Sequence, residues 1–280
     1  MIRPYTGALM STDSLASCLA VATGAARRAG ALLARHMGRP VTVETKRSAI
    51  DLVTEIDRRS EQWIHAAVRR RFPAHGFQGE ERTRTNPAAP YQWIVDPLDG
   101  TMNFVHGVPA FAVSIGLLHR GRIVLGVIYD PTRREMFTAL SGRGAFLNGR
   151  RLRVSRTARL SDSLLSTGFS STFRAHPAPL LRWFTAFQLR CHGVRRIGST
   201  AISLASVACG RHDGFYEQEL WNWDIAAGIL LVVEAGGRVT DFNGHPIARL
   251  EDGKIVASNG RIHPAMLTLL RPPRRRPPAR

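Results

Sequence analysis

The stretch 93–104, Trp-Ile-Val-Asp-Pro-Leu-Asp-Gly-Thr-Met-Asn-Phe, constrains this chain more than any other, because an apolar run stops abruptly at two carboxylates, a glycine and a threonine. A strand over 91–95 held in a core delivers Asp96 at its carboxyl end, the side of an open α/β sheet where ligands bind. Asp99 follows three residues on, across Pro97, which stiffens the turn. Gly100 lets the backbone come close to a ligand, and Thr101 opens a helix whose free N–H groups favour an anion. One segment thus offers oxygen ligands for hard cations and a seat for a phosphate that they would polarise.

The pattern on either side predicts layered α and β structure. Apolar positions recur with helical spacing over 14–37 after Ser11, Thr12 and Asp13, which can serve as N-caps. A second helix is expected over 61–72, with Trp63, Ile64 and Val68 towards a core and Arg69, Arg70 and Arg71 towards water. Residues 41–57 between them are expected as a strand or loop. An antiparallel sheet is predicted over 110–153, with strands over 111–118, 123–129 and 135–139 and a hairpin turn at Asn148-Gly149. From residue 160 on, strands near 164–167, 193–196, 214–216, 237–241 and 255–258 alternate with helices near 180–189, 200–208, 224–234 and 263–270. There is no internal repeat.

At 280 residues and 44% apolar composition, the chain can bury a large core, as one domain or two closely packed lobes. The net charge of +18 raises the question of nucleic acid or an anionic membrane as partner. Every basic residue but Lys46 and Lys254 is an arginine, the arginines are scattered, and no nucleic-acid motif accompanies them. That distribution argues against a dedicated nucleic-acid surface. The one local cluster is the Arg/Pro-rich tail 271–280, expected to be solvated and extended. Cys18, Cys191 and Cys209 are odd in number and far apart, so free thiols are expected instead of a disulfide framework or zinc knuckle. No segment reads as a signal peptide or a membrane span, which points to a cytoplasmic protein with no membrane partner.

Four further pieces share the chemistry of the central stretch: Asp51 before Thr54, Gly79-Glu80-Glu81, Gly198-Ser199-Thr200, and Asp224 after Trp221-Asn222-Trp223. Each alone also fits a solvated loop or a helix N-cap. As an ordered set, Asp51, Glu80-Glu81, Asp96-Pro97-Leu98-Asp99-Gly100-Thr101 and Trp223-Asp224-Ile225-Ala226-Ala227-Gly228 resemble the inositol monophosphatase family. That family belongs to the lithium-sensitive, magnesium-dependent phosphatase superfamily with fructose-1,6-bisphosphatases and bisphosphate nucleotidases. The resemblance runs from about residue 14 to 270, and Met102-Asn103-Phe104 is more similar to the inositol monophosphatase branch.

The resemblance implies an α+β fold, a layered αβαβα sandwich of the inositol monophosphatase and sugar phosphatase type. It divides the chain into an N-terminal lobe over 1–158 with the metal-binding motifs, a C-terminal lobe over 159–270 with the substrate loop and last ligand, and the tail 271–280. It implies a phosphomonoesterase for inositol 1-phosphate or a related polyol or sugar phosphate, working as a homodimer with two or three Mg2+ ions. Mn2+ would substitute, and Li+ and Ca2+ would inhibit. Glu80, Asp96 and the Leu98 carbonyl would hold one ion, and Asp96, Asp99 and Asp224 the second, with a third near Glu80. Thr101 would orient the attacking water and pass its proton to Asp51. Gly100 and Thr101 would bind phosphate, and Asp99, Gly198, Ser199, Thr200, Glu217 and Asp224 the alcohol. Lys46 resembles a family lysine on a loop near the metals. Glu219 is expected to be solvated, His106 to be structural, and Trp221 and Trp223 to pack in a core or lid or to stack on substrate.

Overall fold

A computed structural model describes residues 12–45, 52–169 and 171–271. Lys46, Asp51, Ser11 and the tail beyond Arg271 lie outside the described residues. The fold is α+β, five layers thick. Helix α1 (Thr12–His36) and helix α2 (Glu55–Arg71) form the first layer. A short hairpin of β1 (Val43–Thr45) and β2 (Leu52–Thr54) joins them.

Helix α2 begins two turns earlier than the expected 61–72. Thr54 is the reason: its hydroxyl accepts the N–H groups of Ile56 and Asp57, while the Asp57 carboxylate accepts the Thr54 N–H at 2.9 Å, a complete capping box. Ile56, Ser60, Ile64 and Val68, each four residues from the last, are then buried on one face. The polar run 57–62 hid that start from the apolar periodicity. Arg69, Arg70 and Arg71 close the last turn, where the helix dipole favours cations.

The second layer is an eight-stranded sheet. It contains β3 (Gly76–Gly79), β4 (Arg84–Thr85), β5 (Tyr91–Asp99), β6 (Ala112–His119), β7 (Arg122–Asp130), β8 (Glu135–Leu140), β9 (Gly144–Leu147) and β10 (Arg150–Arg151), in spatial order 10-9-8-7-6-5-3-4. Only the β3–β5 pair is parallel. Strand β5 runs on to Asp99 instead of stopping at 95, and its pairing with β6 slips between Asp96 and Asp99. Pro97 cannot donate to the ladder, so the strand bulges where the two aspartates stand.

A five-residue helix α3 (Thr101–Val105) follows β5. Beyond β10, the third layer holds α5 (Thr200–Ala208) and α6 (Asn222–Glu234), after α4 (Pro177–Gln188) in the chain. The fourth layer is a mixed sheet of β11 (Leu164–Thr167), β12 (Gly193–Arg195), β13 (Gly214–Glu217), β14 (Arg238–Thr240) and β15 (Ile255–Ser258), in order 12-11-13-15-14. Helices α4 and α7 (His263–Leu270) cover its far side. Helix α6 lies close on the first sheet because Gly126 leaves room: a Cβ there would stand 2.6 Å from the Ala227 carbonyl oxygen. Asp224 stands on the same helix, three residues before Ala227. Among the described residues no helix is long and apolar enough to cross a membrane.

Candidate active site

Asp96 and Asp99 stand on the bulged end of β5, buried at 2% and 8% exposure. The Asp96 carboxylate accepts the Leu98 N–H at 2.9 Å, which folds the turn around Pro97. Glu80, after β3, brings its carboxyl against that of Asp96, and Glu80, Asp99 and Asp224 all act on Asp96 electrostatically. Burial first, then these like charges, hold Asp96 well above the usual carboxylate range. Asp224, the third residue of α6, is raised by burial and by Glu80 and Asp99, although its carboxylate accepts the Trp221 N–H at 2.7 Å. Asp96, Asp99 and Asp224, all buried from water, and half-buried Glu80 are thus gathered in one corner.

Gly100 turns the chain from β5 into α3 at φ +96°, a conformation that favours glycine, with Ala110 and Gly198 backbone oxygens 3.0 and 3.2 Å from where a Cβ would be. The Thr101 hydroxyl then lies 3.1 Å from the Leu98 carbonyl oxygen and 3.2 Å from Asp57 Oδ1. Asp57 is fully buried and uses its other oxygen in the α2 capping box. Among the described residues the carboxylate beside Thr101 is Asp57; Asp51, which the resemblance put in that place, lies outside the described residues. The signal for Asp57 in the sequence is Thr54-Glu55-Ile56-Asp57, a T-x-x-D capping pattern.

The alcohol side is built by the N-terminus of α5. Asp99 accepts the Ser199 hydroxyl, the Ala201 N–H at 2.8 Å and the Thr200 N–H at 3.2 Å. Burial still pushes Asp99 up to about 6 against those three bonds. Asn103 pins the same turn, donating to the Ala110 and Ile197 carbonyls at 2.7 and 2.9 Å. The Thr200 hydroxyl donates to Glu217 at 3.2 Å. Glu217 is buried, and Gly168 is what admits it, since a Cβ there would stand 2.0 Å from its Oε1. A cavity of about 220 Å³ opens here, lined by Glu80, Asp99, Gly100, Thr101, Gly198, Ser199, Thr200 and Glu217. Asp96, Leu98 and Asp224 stand behind that lining.

Of the remaining expected residues, Glu219 is exposed and His106 is exposed at the end of α3. Trp221 and Trp223 stack on each other, centroids 5.3 Å apart, with neither lining the cavity. Glu61 went unnoticed in the sequence. It is buried, and it accepts the N–H groups of Glu81 and Thr83 at 2.7 and 3.0 Å, so it holds the loop that carries Glu80. Among the described residues no three His, Cys, Asp or Glu side chains are arranged to hold a metal ion as they stand.

The profile of the inositol monophosphatase family matches residues 14–273. The chain belongs to that family. The Nus factor SuhB of Pseudomonas aeruginosa is 47% identical over 263 residues, 91% of this chain and 96% of the relative. The inositol-1-monophosphatase of Mesorhizobium japonicum is 43% identical over 257 residues, 91% of this chain and 96% of the relative. The crystal structure of the extragenic suppressor protein SuhB from Bartonella henselae has a TM-score of 0.87 at 42% identity, covering 91% of this chain and 98% of that one. The fold of this inositol monophosphatase family member is that of its solved relatives.

Burial pushes the Glu217 carboxyl up to about 8 from its ordinary 4.5. Between those values the folded chain holds a proton that the unfolded chain has released, so this group's contribution to stability is lost as pH rises through about 8. The contribution is at most roughly 3–5 kcal/mol. In chelator, the melting temperature of wild type is expected to fall more steeply from pH 6 to pH 9 than that of Glu217→Gln, whose amide cannot ionise. Equal slopes would show that Glu217 ionises in the fold as it does in water.

Proposed function

We propose that this chain is a Mg2+-dependent phosphomonoesterase that hydrolyses inositol 1-phosphate or a related small polyol or sugar phosphate. The observation that carries this reading is the juxtaposition of three raised carboxyls, Asp96, Asp99 and Asp224, and of Glu80 against Asp96, with the Thr101–Asp57 pair beside a small polar cavity. So many buried like charges fit a divalent cation, whose charge would return them to their ionised forms. Mg2+ keeps several of its waters and needs few protein oxygens, so a loose set suits it better than a closed cage. Glu80, Asp96, the Leu98 carbonyl, Asp99 and Asp224 would hold two or three such ions. When bound, the ions supply charge to the phosphate and lower the pKa of the attacking water.

The chain's own groups do the rest. Thr101 directs the water along its hydroxyl and hands the proton on to Asp57, because a threonine hydroxyl alone is too weak a base. The N–H groups of Gly100 and Thr101 seat phosphate oxygens at the start of α3. Gly198, Ser199, Thr200 and Glu217 surround the alcohol. At neutral pH Glu217 carries its proton and both donates to and accepts from sugar hydroxyls. Homodimerisation and inhibition by Li+ and Ca2+ belong to the same proposal.

Purified protein is expected to release phosphate from inositol 1-phosphate with Mg2+ and none with chelator. Glycerol 2-phosphate, fructose 1,6-bisphosphate, histidinol phosphate and adenosine 3',5'-bisphosphate complete the panel. Faster turnover of one of the last three would reassign the substrate, and inert, well-folded protein on all five would end the phosphatase reading. The identity with a protein named Nus factor SuhB favours a second, compatible role as a Nus factor.

A further inference from the structure

Helices α1 and α2 pack antiparallel, since the Arg28 guanidinium sits 4.7 Å over the Trp63 ring while Cys18, ten residues earlier, feels the charge of Arg71. Their outer seam is a groove of about 620 Å³ that shares no lining residue with the cavity at β5's aspartates. Exposed Ala20, Gly24 and Ala66 floor it, Arg28 stands at one end, and Arg70 and Arg71 stand at the other. No carboxylate lines it. Nothing in the reaction proposed above uses this face.

We propose that the α1–α2 seam docks an acidic amphipathic helix of a partner protein. Side chains no longer than a methyl group let a helix approach closely, and a two-helix seam offers no open sheet edge for a strand to extend. The cationic ends supply the charge complement. Trp63, beside Arg28, and Arg70 are seven residues apart on α2, about 10 Å along the axis. Two carboxylates seven residues apart on one face of the incoming helix reach both ends at once. The groove is less suited to single-stranded nucleic acid, which needs an open stacking face: the Trp63 ring is flanked by Arg28 at 4.7 Å and Arg59 at 5.9 Å.

The test is fluorescence anisotropy on the full chain with a labelled, alanine-rich helical peptide bearing two glutamates seven residues apart on its apolar face. The same peptide with glutamines and an oligouridylate are the comparison ligands. Two variants probe the groove. Gly24→Leu fills the floor, where a Cβ meets nothing within 4 Å, so the fold tolerates it. Arg28→Glu with Arg70→Glu reverses both ends. The glutamate peptide is expected to bind at least about tenfold more tightly than the glutamine peptide, and to lose about tenfold in either variant at unchanged melting temperature. Equal binding of the two peptides, or undiminished binding to Gly24→Leu, would overturn the proposal. So would oligouridylate that outcompetes the peptide and weakens in the same variants, or a Gly24→Leu chain that loses self-association, which would give the groove to nucleic acid or to a second copy.

Discussion

Replacing Asp96 with asparagine is expected to lower kcat/KM by about 10³-fold or more and, in chelator, to raise the melting temperature. The two effects have one cause. Asp96 is 2% exposed, has Glu80 against it and Asp99 and Asp224 near it, and no cation among the described residues faces it. In metal-free protein its ionised form is costly, which is what its raised pKa expresses. Asparagine keeps the shape and the oxygen that accepts the Leu98 N–H, and removes the charge. With metal ions bound the balance would reverse, because the lost charge is one that would help to hold them, and about 4 kcal/mol of barrier corresponds to 10³ in rate. The stabilisation in chelator should grow as pH rises above the ordinary carboxylate range, as ionisation of wild-type Asp96 becomes more demanding. An Asp96→Asn protein with near-normal turnover would remove it from the ligand set, and one that melts lower than wild type at pH 8 would show that its charge is not a burden.

The second large effect is expected at Asp57. Asp57→Asn should reduce kcat by about 10²- to 10³-fold with little change in KM, the magnitude of a lost general base, whereas Asp51→Asn should stay within a few-fold of wild type. Because Asp57 also caps α2, a structural loss has to be separated from a catalytic one. Thr54→Ala does this: it removes the cap hydroxyl, at about 1 kcal/mol of stability, and leaves the carboxylate beside Thr101. Activity lost in Thr54→Ala as fully as in Asp57→Asn would make Asp57 a helix cap alone. A large loss in Asp51→Asn would assign the proton-accepting role to Asp51.

The comparison between Asp51 and Asp57 also shows what kind of information a motif carries. Asp96-Pro97-Leu98-Asp99-Gly100-Thr101 was legible because its parts lie on one strand, one turn and one helix start, where local rules act. The layered fold was legible for the same reason, since apolar periodicity reports which face of an element is buried. The start of α2 was not, because a capping box of polar residues set it, and the apolar pattern is thin there. Glu61 was missed because an acid on a helix reads as solvated until the loop it holds is folded over it.

By itself the sequence determined the element types over most of the described chain, the family, and which oxygen-bearing residues are present to meet a cation and a phosphate. Only the tertiary structure decided which of them meet. Thr101 reaches Asp57 across 44 positions and Asp99 reaches Ser199 across 100. Burial then turns ordinary carboxyls into a strained set, with Asp99 near 6 and Glu217 near 8. Such pairings and desolvation costs depend on how layers stack, and no pattern of 3.6 or 2 residues encodes the distance between two segments that only packing brings together.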